Sequence, residues 1–386
     1  MGYAMAKDTR AALMVGTQLK CDNRSLFADK FPEFPDSLKD KEARSRTVER
    51  LTGNFEIDLK GVAARRKALT QMQGTVAVEA ALGGRLIVNQ AGGVIENAGL
   101  AFDRQFGVPF IPGSALKGIT REGARLAGAT PEEMLLVFGW AMDGHGDSLP
   151  QAARDTSFAG TVAFLPAYPL AECRIERDLV NCHHHKYYSQ KTGREPALDV
   201  EAPIPNAFPV VPAGTVFGFL LMPADARRAA VMRAALGLPA EFDPLAKARE
   251  WLILGITDHG VGAKTAAGYG WFIYDAVAEQ RRDEERRQRL AVAAAEAQAR
   301  QAEQARLGAL SPVDRCMEEI AKLSNEPFAH FAKALSTKTP DEQRAFVRLL
   351  RTNSAKKEWW KTKKKKDEAL RDSILKVAMA LGEELQ

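Results

Sequence analysis

Lys264 and Thr265 stand between two pairs of glycines in Asp258-His-Gly-Val-Gly-Ala-Lys-Thr-Ala-Ala-Gly-Tyr-Gly-Trp271. Gly260 and Gly262 precede them, and Gly268 and Gly270 follow. Glycine reaches backbone angles closed to other residues and lets another backbone come close. A turn built this way points several N–H groups in one direction, which suits a phosphate. Lys264 adds a point charge and Thr265 a hydroxyl. A P-loop is excluded, because it needs Gly-Lys-Ser/Thr in direct succession and Ala263 separates Gly262 from Lys264. A dinucleotide fingerprint is excluded too, since there is no GxGxxG and no strand comes before the loop.

A second group with chemical potential is Cys182-His-His-His-Lys-Tyr-Tyr188. Zinc would draw on Cys173, Cys182 and one or more of His183, His184 and His185. Consecutive residues on a strand face opposite ways, so three adjacent histidines cannot all reach one ion, and no second Cys/His pair has ligand spacing. Metal-independent RNA cleavage would need a base near a ribose hydroxyl and a cation for the developing charge. His184 with Lys186 and Tyr187 would supply these groups, as would His259 with Lys264. Tyr187, Tyr188 or a histidine stacked on a base is the simpler role.

The elements that must position these residues follow from apolar spacing. The glycine loop follows a helical run, Ala246–Ile256, and precedes a short aromatic strand, Gly270–Tyr274. Gly74–Leu82, Thr161–Leu165 and Thr215–Met222 read as strands. Ser114–Ala127 reads as a helix with Ser114 at its N-cap and Leu116, Ile119, Ala124 and Leu126 facing inward. Its Lys117, Arg121 and Arg125 recur every fourth residue and form one basic edge beside a helix N-terminus, a good place for a phosphate backbone. Glu132–Trp140 reads as a short helix, Asp143–Asp155 with His145 as a polar loop, and Asp225–Leu236 and Leu245–Ile256 as helical. The order β-α-β-β-α-β predicts an α+β fold of the ferredoxin-like, RRM-type arrangement. A proline-rich insertion, about 166–212, separates the second and third strands and carries the histidine cluster. A connection this long inside a compact domain is usually functional.

The flanks differ in composition. Residues 1–70 predict a helical lead-in, with a break at Phe31-Pro-Glu-Phe-Pro35 and a charged helix over Ser37–Leu51. The central domain spans 71–276. Residues 277–310 predict one long exposed helix, nearly all Ala, Glu, Gln and Arg, with no strict coiled-coil seam. Residues 311–386 predict a small basic helical module. In it, Lys356–Lys366 places seven lysines in eleven residues around Trp359 and Trp360. That run suits a phosphate backbone and a stacked base, or equally a solvated helix with its tryptophans in the core.

At 386 residues the chain holds one large domain with an appendage, or two domains. A formal charge of +5 is a mild bias toward polyanions. No apolar run reaches a membrane span, the N-terminus has no secretory apolar region, and the four cysteines lack CxxC spacing. A cytoplasmic, reduced chain with no membrane partner is expected.

The glycine loop resembles the C-terminal Gly-rich loop of the RAMP superfamily of CRISPR proteins. Gly107-Val-Pro-Phe-Ile-Pro-Gly-Ser-Ala-Leu-Lys-Gly118 resembles that superfamily's G-x-P-x-I-P-G-S-S-L-K-G segment, especially as found in subunit six of the Cmr-type (type III-B) effector complex. Asp178-Leu-Val-Asn-Cys-His-His-His-Lys-Tyr-Tyr188 is similar to its D-x-x-x-P-H-x-x-Y-Y stretch, with Cys182 where that family usually has Pro. The three matches cover roughly 75–275, and the resemblance says nothing about the C-terminal extension.

The resemblance implies a ferredoxin-like RAMP core whose insertion forms a thumb-like hairpin, with His183–Tyr188 at its base or tip. It implies a non-catalytic, RNA-binding subunit of a type III-B effector in antiviral defence, touching the 3′ region of the guide RNA and its target. Lys264, Thr265, Tyr269 and the amides of Gly260, Gly262, Gly268 and Gly270 would hold guide phosphates. Ser114, Lys117 and Arg121 would extend that track, and His183, His184, Lys186 and Tyr187 would shape the duplex. Expected partners are guide RNA, target RNA and other RAMP subunits, with no cofactor and no metal. Some RAMP endonucleases that mature guides use a histidine near the first helix, and 100–138 contains none. Target cleavage in such complexes belongs to an aspartate on a loop of another subunit; Asp103 is the nearest residue here, and its surroundings do not match. The alternatives are a RAMP-type endoribonuclease with a histidine base, and a scaffold that touches only protein.

Overall fold

The computed structural model describes residues 2–3, 11, 14–15, 18–19, 21, 23–31, 33–34, 41–53, 55, 57–92, 98–140, 158–190, 193 and 196–385. The chain is a mixed α/β protein with a curled antiparallel sheet and a run of C-terminal helices. It divides into two compact units, Met1–Asp283 and Glu284–Gln386.

Three helices lead into the first unit: α1 (Arg24–Lys30), α2 (Lys41–Leu51) and α3 (Leu59–Thr70). Helix α1 stops just before Pro32, whose ring and missing N–H would break it. The charged helix expected from Ser37 is described from Lys41. The expected loop Asp143–Asp155, with His145, lies outside the described residues.

The sheet is built from β1 (Val76–Leu82), β2 (Val162–Phe164), β5 (Val216–Pro223) and β6 (Phe272–Ile273), with the two-residue segment Tyr168–Pro169 pairing beside them on Phe217 and Gly218 of β5. Between β2 and β5 the chain makes a separate hairpin of β3 (Glu176–Cys182) and β4 (Ile204–Val210). The sheet order is β6-β1-β5-β2, with every pair antiparallel. Register is set by Val216 opposite Ala81, Phe272 opposite Leu82 and Leu221 opposite Phe164. A one-residue slip would turn the buried Val78, Ala80 and Leu82 face out of the core. Strand β5 buries Phe217, Phe219, Leu220 and Leu221 in near succession. Phe272 meets Phe217 and Phe219 edge-on, with centroids at 6.0 and 5.3 Å.

Helix α4 (Gly113–Leu126) covers the sheet through Leu116, Ile119, Thr120, Gly123 and Ala124, the stripe its spacing predicts. Two details of that helix depart from expectation. Pro112, not Ser114, is the N-cap; the cap falls two residues earlier, and no side chain caps the helix. Leu126 is 58% exposed because it lies in the last turn, past the packed face. Helix α5 (Pro131–Phe138) starts on a Thr130–Glu133 capping box. After β5 come α7 (Ala226–Ala235) and α8 (Pro244–Leu254), the latter capped by Asp243. Helices α4 and α8 approach closely: a Cβ on Gly123 would lie 1.9 Å from the Trp251 carbonyl oxygen.

The long helix α9 (Ala276–Ala309) spans the expected 277–310 segment. Its first turns are fastened to the sheet by charge. Glu79 accepts from Arg66 at 2.7 Å and pairs with Arg282 at 3.3 Å, and the Glu79 N–H donates to the buried Glu279 carboxylate. The second unit continues as α10 (Pro312–Ala321), α11 (Asn325–Lys333), α12 (Pro340–Thr352), α13 (Ser354–Lys366) and α14 (Glu368–Ala380) around a core of Ile320, Phe328, Phe346, Leu349, Trp360 and Ile374.

Candidate nucleic-acid interface

Helix α8 runs into a π-turn, Gly255–His259, and the chain then enters the glycine loop. Gly260, Gly262, Gly268 and Gly270 all have positive φ, at 79°, 99°, 84° and 72°. Two of them are also pressed against backbone. A Cβ on Gly262 would lie 2.1 Å from the Ile87 carbonyl oxygen, and one on Gly270 would lie 2.0 Å from that of Val261. No other side chain fits there.

Hydrogen bonds divide the loop's donors into two sets. The N–H of Val261 donates to Gly270 O at 2.8 Å, Ala263 to Ile87 O at 2.8 Å, and Gly270 to Arg85 O at 2.7 Å. Gly260, Ala267, Gly268 and Tyr269 donate to carbonyls of their own turns. The expected phosphate donors Gly260, Gly268 and Gly270 are therefore directed into the fold. The N–H groups of Gly262, Lys264, Thr265 and Ala266 have no acceptor among the described residues. Three of these four are consecutive and open a short 3-10 turn, Thr265–Ala267.

Lys264 itself is left-handed, with φ 58° and ψ 33°. Gly, Asn and Asp visit this region readily, and a long side chain does so at a cost of about 1 kcal/mol. The strain is maintained by the bonds on either side and aims the Lys264 chain along β4, with Nζ 5.7 Å from the centre of the Phe208 ring.

The loop is joined to the hairpin through Asp178, the first residue of the histidine-bearing motif. Tyr269 Oη donates to Asp178 Oδ2 at 2.6 Å, and Arg85 Nη1 donates to the same oxygen at 3.0 Å. The Leu179 N–H donates to Asp178 Oδ1 at 2.8 Å. Burial opposes ionisation of Asp178, yet these hydrogen bonds and the Arg85 charge hold its carboxyl below the usual carboxylate range. Burial and the Asp178 hydrogen bond push the Tyr269 phenol up, so it stays a donor.

The histidine cluster lies at the other end of the hairpin. Cys182 pairs with Ile204 as the last rung, His183 and His184 form the bend, and His185–Ser189 makes one helical turn, α6. The premise that this stretch is strand therefore ends at Cys182. His185 Nδ1 lies 3.7 Å from the buried Glu201 carboxylate, which also accepts the Lys186 N–H at 3.2 Å. Tyr187 and Tyr188 meet edge-on at 5.4 Å, and Tyr188 is 73% exposed. Among the described residues no three His, Cys, Asp or Glu side chains gather as a metal would need. Cys173 is buried, which pushes its thiol up to about 11.

Ser114, Lys117 and Arg121 lie on α4, which packs along the π-turn that feeds the loop. Ser114 and Arg121 are exposed, and Arg121 lies over the Phe138 ring at 5.8 Å. Burial and the neighbouring Arg121 charge lower the Lys117 ammonium from its ordinary value, as expected of two cations held close. Arg125 is turned aside to Glu122. Asp103 spends its carboxylate within the fold, accepting from the N–H groups of Gln105 and Phe106 and from the Tyr168 hydroxyl at 2.8 Å.

Two residues of this surface were not singled out by sequence. Arg85 ties the loop, by its carbonyl, to Asp178, by its side chain. Trp271, read as a strand residue, is 40% exposed, and its indole lies on the backbone of Gly83 and Gly84. A Cβ on Gly83 would fall 2.3 Å from that ring. The Gly83-Gly84-Arg85 sequence was the available signal: paired glycines mark a backbone approached by something large.

The sequence model of the RAMP superfamily matches residues 82–273. The CRISPR system Cmr subunit Cmr6 of Pyrococcus furiosus is 28% identical over 233 residues, covering 48% of this chain and 64% of that relative. The chain thus spans less than two thirds of the relative's length. Among solved structures, the type III-B Cmr-beta complex bound to cognate target RNA contains a similar chain (19% identity, TM-score 0.40, 63% of this chain and 77% of that one). The crystal structure of Cmr6 from Pyrococcus furiosus is also similar (22% identity, TM-score 0.27, 52% of this chain and 98% of that one).

Proposed function

We propose, from the premise that residues 82–273 form a RAMP superfamily domain, that this chain is a non-catalytic, RNA-binding subunit of a Cmr-type CRISPR effector of type III-B. The observation that carries this reading is the glycine loop. Lys264 is held left-handed beside unengaged N–H groups of Gly262, Lys264, Thr265 and Ala266, a ready anion cradle. Trp271 offers an open indole face next to it, and Lys117 and Arg121 add cations from α4. Phosphates of the guide RNA sit in the cradle, a base stacks on Trp271, and the hairpin with His183, His184, Lys186 and Tyr187 at its tip lies against the guide–target duplex. Such contacts position RNA without reading sequence.

The sheet order supports a ferredoxin-like core, because β6-β1-β5-β2 is the fourth, first, third and second strand of a β-α-β-β-α-β unit. The named relative, a Cmr subunit, supports assembly with other RAMP subunits. Asp103, engaged by three donors, supports the non-catalytic reading. Among the described residues no helix is long and apolar enough to cross a membrane.

The test is to purify the tagged chain from its native host, sequence the RNA that comes with it and identify the proteins. Repeat-derived guide RNA with other RAMP subunits is the expected result, and Lys264→Ala should reduce the RNA recovered. Free chain with freshly cut RNA would replace this reading with a nuclease.

A further inference from the structure

The two units share the chain's charge unevenly. Met1–Asp283 holds 33 Lys and Arg against 33 Asp and Glu, whereas Glu284–Gln386 holds 21 against 16. The whole formal excess of +5 therefore belongs to the second unit. Within that unit, the seven lysines of Lys356–Lys366 stand against the single acid Glu358.

Helix α13 is pinned so that its lysines divide. Lys356 is buried, donates Nζ to the Leu323 carbonyl and sits 4.2 Å over the Phe328 ring. Trp360 is buried, and Trp359 meets Phe328 edge-on at 4.9 Å. These three side chains fix the rotation of the helix. Lys357, Lys361 and Lys363 are left exposed, and among the described residues only Lys361 has an acid partner, Glu358 at 3.5 Å. Lys357 and Lys361 are four apart, a spacing at which like charges destabilise a helix. A polyanion relieves that repulsion.

We propose that α13 is a second RNA-backbone site, carried by the C-terminal unit and independent of the glycine loop. The chemistry favours a nucleic-acid backbone over a protein partner. Protein interfaces are depleted of lysine and enriched in arginine, and α13 has no arginine. Lysine ammonium groups are compact, hydrated point charges, which neutralise phosphates with release of counterions. Trp360 is buried and the half-buried Trp359 packs edge-on against Phe328, so the lysines carry the site and it binds without base preference.

The experiment uses the full chain and an oligouridylate of about 20 nucleotides, with affinity measured by fluorescence anisotropy as KCl is raised. The triple variant Lys357→Gln/Lys361→Gln/Lys363→Gln should bind about ten-fold more weakly, and its salt slope should fall by about two, roughly 0.7 per lost phosphate contact. The corresponding triple arginine variant should keep the parent affinity, and oligoadenylate should behave like oligouridylate. Parent-like affinity and slope in the glutamine variant overturn the proposal, as does capture of the parent chain by phosphatidylserine vesicles with no binding of RNA. If Lys264→Ala binds as the parent does while the triple variant is weakened, the α13 site stands and the glycine-loop reading falls.

Discussion

The Tyr269 hydroxyl donates to Asp178 Oδ2 at 2.6 Å across 91 residues of chain. Glycine loop and hairpin are therefore one surface, with the loop's tyrosine serving as the clasp. Arg85 completes it from a third segment, bonding Asp178 by its side chain and accepting from Gly270 at its carbonyl.

Replacing Asp178 by Asn keeps an acceptor for Tyr269 but removes the charge that Arg85 faces. The variant should lose about 1.5 kcal/mol, or roughly 4 °C in melting temperature. The folded-state carboxyl titrates below its unfolded value of about 3.9. Its contribution is therefore present above that pH and is lost as pH falls through the lower, folded value. Thermal melts of parent and variant should converge toward acid; a gap that stays constant down to about pH 2 would refute the charge argument.

Lys264 separates stability from binding. Lys264→Gly should relieve the left-handed strain and leave the melting temperature unchanged or raised by about 2 °C. RNA affinity should nevertheless fall about ten-fold with loss of the charge-assisted contact. Calorimetry and anisotropy on the same preparation check both halves. A glycine variant that binds like the parent removes Lys264 from the interface.

The loop glycines should differ in kind. A methyl at Gly262 or Gly270 meets a carbonyl oxygen at 2.1 or 2.0 Å, whereas one at Gly268 meets nothing within 4 Å. Gly268→Ala should cost about 1 kcal/mol for its positive φ alone. Gly262→Ala and Gly270→Ala should cost about 3 kcal/mol or more, because backbone must move. Urea denaturation curves give the ranking, and equal losses at all three positions would contradict it.

Trp271 tests the stacking surface. Trp271→Ala should weaken single-stranded RNA binding about ten-fold, and Trp271→Phe should keep most of it, since any aromatic face stacks. The melting temperature of the Phe variant should stay near the parent's. Equal loss of affinity in both variants would mark the indole as packing against Gly83 and Gly84 and nothing more.

Sequence reading did well where the signal was local. The four main sheet strands and the α4 stripe of Leu116, Ile119 and Ala124 follow from apolar periodicity, and the long helix α9 from a composition of nearly all Ala, Glu, Gln and Arg. Ser114 is the second residue of α4 rather than its cap, because Pro112 itself turns the chain into the helix. Clash and hydrogen bonding, some within the loop's own turns and some from distant segments, decided the rest. The donors of Gly260, Gly268 and Gly270 are used by Gly255, Thr265 and Arg85, which no spacing rule predicts. Lys264 carries no sign of a left-handed backbone in its residue type. Trp271 looks like a strand residue until Gly83 and Gly84 are found beneath it.

The hairpin leaves and rejoins the sheet between β2 and β5, strands that pair directly through Leu221 and Phe164. Its two roots are each pinned by a reciprocal pair of backbone bonds, Ile111 with Ala167 and Leu86 with Val211. Tyr168–Pro169 pairs with β5 just inside the first root and Asp178 is clasped by Tyr269, but the hairpin itself is a separate two-stranded sheet. The base of the hairpin is held by Asp178 and the buried Phe208, so a change of length at its outer end, past Cys182, should leave the scaffold in register. Reach is therefore the trait that evolution or an engineer can adjust most freely in this molecule.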